Sequence, residues 1–186
     1  MTKKNSSAKS SSTMAALLKE KPKRGRPPRK VERQNVYVSL TKEEKEQIKA
    51  LSKQFPKGIA RADIPDLAVT ILSTRMEAMR RAISDRDREM PEGVTDLDSL
   101  FLLWDLQLPE STETEKWTSI RLSPQPVIEL GRLHGTLNAL FGTTRSDTFR
   151  LGLSLLEQFV MKIVPTLELE SWNLDDARYK IRSIYL

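Results

Sequence analysis

The chain has 186 residues, enough for one ordinary domain or two small ones. Hydrophobic residues make up 38% and charged residues 30%, the mean hydropathy is −0.46, and no apolar run approaches the roughly 20 residues of a membrane span. Cysteine is absent, which excludes disulfide scaffolds, thiolate catalysis and Cys-based zinc or iron–sulfur sites. The single histidine, His134, sits beside an apolar helical stripe and reads as a packing residue rather than a metal ligand or half of a Ser–His pair. Neither a cofactor nor an enzymatic activity is expected. The basic N-terminal stretch lacks the apolar run of a secretory signal, so a cytoplasmic location is the expectation.

The net charge of +6 is unevenly spread. Residues 1–34 hold eleven Lys or Arg and two Glu, whereas residues 85–115 hold ten acids and two bases. A basic tail therefore precedes two blocks, 35–84 and 116–165, joined by an acidic connector, 85–115, and followed by an extension, 166–186. The tail is rich in Lys, Ser and Pro and is expected to be disordered. Pro22, Pro27 and Pro28 forbid a continuous helix through its basic end.

Residues 21–30 read Lys-Pro-Lys-Arg-Gly-Arg-Pro-Pro-Arg-Lys. The core Arg24-Gly25-Arg26-Pro27 resembles an AT-hook. Gly25 lets the backbone lie against a groove floor, and Pro27 keeps the following segment extended. Arg24 and Arg26 can then run along a narrow, electronegative A/T minor groove. Lys23, Arg29 and Lys30 are the expected phosphate contacts.

From Asn35 to Thr41 the chain alternates, Val36, Val38 and Leu40 on one side and Asn35, Tyr37 and Ser39 on the other, which predicts a half-buried strand. Thr41-Lys-Glu-Glu44 is a capping box, and Ile48, Leu51 and Phe55 stripe the helix after it. A turn at Pro56-Lys57-Gly58 precedes a second helix over about Asp63–Ile83, with Ile64, Leu67, Ile71 and Met79 inward. In the connector, Asp96–Leu108 predicts a short apolar helix with Leu97, Leu100, Phe101 and Trp104 on one side. It packs on the paired units or offers a site to another protein.

The order then repeats. Trp117–Leu122 alternates, with Thr118, Ile120 and Leu122 toward the core. Ser123-Pro124 opens a helix with Val127, Leu130, Leu133, Leu137 and Leu140 inward. Gly142 breaks the chain, and Arg145-Ser-Asp147 leads into a long helix with Phe149, Leu153, Leu156, Phe159 and Ile163 inward, ending near Pro165. Val36–Thr41 falls on Thr118–Ser123 and Gly58–Asp63 on Gly142–Asp147, with the first helix two residues longer in the second copy. Asn173 caps a last helix with Leu174, Ala177, Ile181 and Ile184 inward, free to dock on the core or on a partner.

Strand–helix–helix at this length, with Gly142-Thr-Thr-Arg-Ser-Asp147 before the second helix, resembles the ribbon-helix-helix family of Arc/MetJ/CopG-type DNA-binding proteins. The resemblance covers roughly 34–82 and 116–164. It departs in the first copy, where Ala60 and Ala62 replace hydroxyl residues and Pro65 enters the first turn of helix two. It implies a mainly α fold with a short β-ribbon, two strands paired antiparallel with four helices behind them. The pairing is an intramolecular pseudo-dimer or joins two chains of a homo-oligomer. It also implies that the ribbon's outer face, Asn35, Tyr37, Ser39, Trp117, Ser119 and Arg121, enters the DNA major groove. Phosphate contacts are expected at the starts of the second helices, from Thr143, Thr144, Arg145 and Ser146, and from Arg61. The expected function is sequence-specific binding of double-stranded DNA, as a transcriptional repressor. The alternatives are a plasmid-partition or relaxosome DNA-architecture protein, or an antitoxin that neutralises a toxin through its C-terminus.

Overall fold

Strand β1 (Gln34–Leu40) and strand β2 (Lys116–Leu122) pair antiparallel within the chain as a two-stranded sheet. The computed structural model describes residues 32–83, 90–109, 114–167 and 171–186. The tail, including Lys23, Arg24, Gly25, Arg26, Pro27, Arg29 and Lys30, lies outside the described residues. The helices, in chain order, are α1 (Lys42–Gln54), α2 (Ile64–Ala82), α3 (Leu97–Leu103), α4 (Pro124–Phe141), α5 (Arg145–Lys162) and α6 (Leu174–Tyr185). Short 3-10 turns at Arg61–Asp63 and Val164–Thr166 adjoin α2 and α5. The fold is mainly helical with one short ribbon, and no helix among the described residues is long and apolar enough to cross a membrane.

Period two dictates which face of the ribbon is buried. Val38, Leu40, Ile120 and Leu122 are all buried, and the register sets Val36 opposite Ile120 and Val38 opposite Thr118 on that face. Beneath it the second helices α2 and α5 cross. A Cβ on Gly152 would lie 2.6 Å from the carbonyl oxygen of Ala68, so the absent side chain permits the close approach. The internal repeat carries Tyr37 onto Ser119 and Ala68 onto Gly152. The first two face each other at the ribbon's centre and the second two meet at the crossing. An approximate twofold axis therefore runs from the ribbon's centre to the helix crossing.

The caps largely follow the sequence. Thr41 and Glu44 close the capping box of α1, and Thr144 with Asp147 does the same for α5. Ser123 departs from expectation: it stands at the N-cap position of α4, yet its side chain makes no cap bond. Pro126 occupies the third helical position and has no N–H to offer it. Instead the Ser123 N–H and hydroxyl both donate to the buried Asp66 carboxylate of α2, at 2.8 and 2.6 Å.

Other differences have equally local causes. α1 has 13 residues and α4 has 18, because Pro56 forces Phe55 extended and stops α1 early. The connector helix spans Leu97–Leu103 rather than reaching Leu108; Asp105 adopts φ 54, which no helix continues through. Leu140 and Ile184, expected inward, are exposed at 40% and 39%. Near Ile184, Tyr185 packs instead, its ring 6.4 Å from that of Phe159.

Both flanking segments dock on this core. Leu100, Phe101 and Trp104 of the connector are buried, and Gln158 of α5 donates to the carbonyls of Trp104 and Asp105 at 2.9 and 3.1 Å. Arg75 of α2 lies between the rings of Trp104 and Tyr185, 5.4 and 4.9 Å from their centroids. Burial lowers the Arg75 pKa, an effect that Tyr185 partly offsets. Elsewhere on the core the Trp172 backbone N–H donates to the Lys57 carbonyl at 2.8 Å. Gly58, at φ +112, makes room, since its Cβ would sit 2.1 Å from the Trp172 oxygen. α6 then buries Ala177 and Ile181 against α2.

Candidate nucleic-acid interface

The ribbon's outer face is built from three cross-strand pairs: Asn35 with Arg121, Tyr37 with Ser119, and Ser39 with Trp117. All are exposed except Ser39, which is half-buried. Tyr37 is 63% and Trp117 77% exposed, an unusual cost for rings on a two-stranded sheet. They stand as diagonal neighbours, a spacing of roughly 7–8 Å that aromatic side chains can bridge. The six residues expected to share this face do share it.

Each end of the ribbon is braced by an ion cluster, one centred on a buried carboxylate and the other on a half-buried guanidinium. At one, Asp66 is fully buried and meets Arg33 at 3.2 Å and Arg178 at 3.3 Å in addition to Ser123; Arg33 also pairs with Asp63. At the other, Arg150 pairs with Glu44, with Glu115 at 2.7 Å and with Asp147 at 2.9 Å. Burial works against the Arg150 charge, but hydrogen bonds and attraction from Glu44 and Glu115 prevail and hold it above the ordinary arginine value. The Ser39 N–H donates to Ser146 Oγ at 2.8 Å, tying β1 to the first turn of α5.

The expected phosphate contacts divide. Arg61, Thr144 and Arg145 are exposed at the starts of the second helices. Thr143 and Ser146 are each only 6% exposed, and Ser146 Oγ accepts the Ser39 N–H of β1. The Thr144 hydroxyl is likewise engaged with the Asp147 carboxylate, which occupies the helix start with its own negative charge. Among the described residues no three His, Asp or Glu side chains gather as a metal site.

Comparison of the chain with protein-family models, curated proteins and solved structures yields no match. What the site can do rests on its own geometry. Asp66, Arg150, Arg33 and Glu115 are the participants that the sequence alone does not single out. Each reads there as one more charge among many.

Proposed function

We propose that this chain binds double-stranded DNA by laying the outer face of its β-ribbon in the major groove, in the manner of a tandem ribbon-helix-helix protein. The observation that carries the reading is the braced ribbon itself, with six outer side chains backed by the α2–α5 crossing under an approximate twofold axis. A major groove about 12 Å wide admits a two-stranded ribbon. Arg121 and Asn35 have the donor geometry to read guanine and adenine edges, and the rings suit thymine methyl groups. Because both strands come from one chain, a single copy supplies a complete reading element.

The basic tail adds a second, tethered contact in an A/T-rich minor groove, raising affinity by effective concentration. Such a protein acts by occupying an operator, without chemistry, and transcriptional repression is the role that follows. The antitoxin alternative asks for a C-terminus free to wrap a toxin. Burial of Ala177 and Ile181 against α2 weighs against it.

Selection of binding sites by the full-length protein from a random double-stranded DNA library, near physiological salt, tests the reading. The expected product is a defined motif beside an A/T-rich tract. Enrichment of A/T content alone would assign binding to the tail, and no enrichment would overturn the proposal.

A further inference from the structure

Resting on the double-stranded-DNA reading above, we infer that one chain recognises a non-palindromic site. Arg121 and Asn35 read purine edges at one end of the ribbon, and Trp117 packs on thymine methyl groups at the other.

The argument starts from the twofold axis. A symmetric dimer presents the same patch twice, and its DNA site is correspondingly an inverted repeat. Here the axis passes between Tyr37 and Ser119, so it exchanges Asn35 with Trp117 and Ser39 with Arg121. None of these exchanges preserves chemistry. One end pairs a guanidinium with a carboxamide across the strands, side chains that donate in a fork to guanine O6 and N7 and bind adenine N6 and N7. The opposite end pairs a small hydroxyl with an indole that is 77% exposed, which has one donor and a broad apolar face. Even the centre is unequal, a phenol facing a hydroxymethyl group.

The bracing makes the inequality permanent. The ion clusters flanking the ribbon differ in kind, Asp66 with Arg33, Arg178 and Ser123 at one, Arg150 with Glu44 and Glu115 at the other. The two strands are therefore not interchangeable in place. The backbone offers the groove a nearly twofold frame, while the side chains carry a direction.

The experiment compares motifs selected from a random double-stranded library by four full-length proteins: wild type, Arg121→Ala, Trp117→Ala, and the double variant Ser39→Arg/Trp117→Asn, which makes the two ends alike. Circular dichroism confirms that each is folded. Wild type is expected to select a motif with no inverted repeat within the span of one ribbon. Arg121→Ala should lose roughly tenfold base preference at one end only, and Trp117→Ala at the other end only. The double variant should select an inverted repeat of the purine end. A palindrome selected by wild type within one ribbon's span, relaxation of both ends by Arg121→Ala, or an unchanged one-directional motif from the double variant would each overturn the inference while leaving DNA binding intact. Absence of any selected sequence would overturn the DNA reading itself and this inference with it.

Discussion

Asp66 is the one acidic side chain among the described residues that is fully buried, and its carboxylate ties the two units together, taking Ser123 from the second and Arg33 from the segment that leads into the first. Removing one member of a buried, hydrogen-bonded charge cluster strands the others, so Asp66→Ala is expected to cost about 3 kcal/mol. Urea unfolding measures it, and a loss under about 0.5 kcal/mol would contradict the role. Asp96 illustrates a weaker, solvent-facing version. The bond from the Ser99 backbone N–H at 2.7 Å is the main cause that holds its carboxyl below the usual aspartate range, with a smaller contribution from the Thr95 hydroxyl. The folded value lies below the unfolded one, so the stabilisation is present above roughly pH 4 and is lost as pH falls below it. The stability difference between wild type and Asp96→Ala should therefore shrink from pH 6 to pH 3. An equal difference at both values would rule out the charged cap.

At the scale of elements, the α2–α5 crossing sets the ribbon's footing. Gly152→Ala gains about 1 kcal/mol of helix propensity but drives a methyl group to 2.6 Å from a backbone carbonyl that cannot swing aside. Overpacking of this kind costs about 1–3 kcal/mol, so net destabilisation is expected, read as a lower Tm. Gly131→Ala and Gly135→Ala in α4 meet nothing within 4 Å and should show the propensity gain alone. If all three glycines respond alike, the close crossing is not what holds α2 and α5 in place. The ion clusters add a rule for which units pair. The repeat carries Arg33 onto Glu115 and Asp66 onto Arg150, so the same positions hold ion pairs of inverted sign. Arg150 of the second unit reaches Glu44 of the first, whereas two copies of the first unit paired together would set Asp66 against Glu44. Pairing of two first units is therefore disfavoured by charge.

Over the whole molecule, what the sequence discloses is what is local. Strand alternation, the Thr41 and Asn173 caps and the inward stripes depend on residues within a turn or two, and they stand nearly as expected. Asp66 and Arg150 acquire their meaning from partners distant in sequence, and the premature end of the connector helix depends on the turn at Asp105 that seats it on α5. The ribbon's faces were legible because a register slip would have buried Asn35 and Arg121, yet pairing within one chain rather than between two has no signature in either strand. The proposed function divides along the same line, between a folded reader whose side chains would discriminate bases and a basic segment whose charges would supply affinity. That division makes a quantitative prediction in the full-length protein. Each cation that neutralises a phosphate contributes about 0.9 to the slope of log affinity against log salt. Lys23→Ala/Arg29→Ala/Lys30→Ala should therefore flatten the slope by roughly 2.7 while leaving the selected motif unchanged. Arg24→Ala/Arg26→Ala should instead abolish the preference for an A/T-rich over a G/C-rich flank, because narrow-groove insertion is the role proposed for these two. Fluorescence anisotropy titrations on two duplexes differing only in the flank separate the effects. If either variant alters base preference inside the motif itself, then the tail takes part in reading sequence, and the ribbon is not the sole source of specificity.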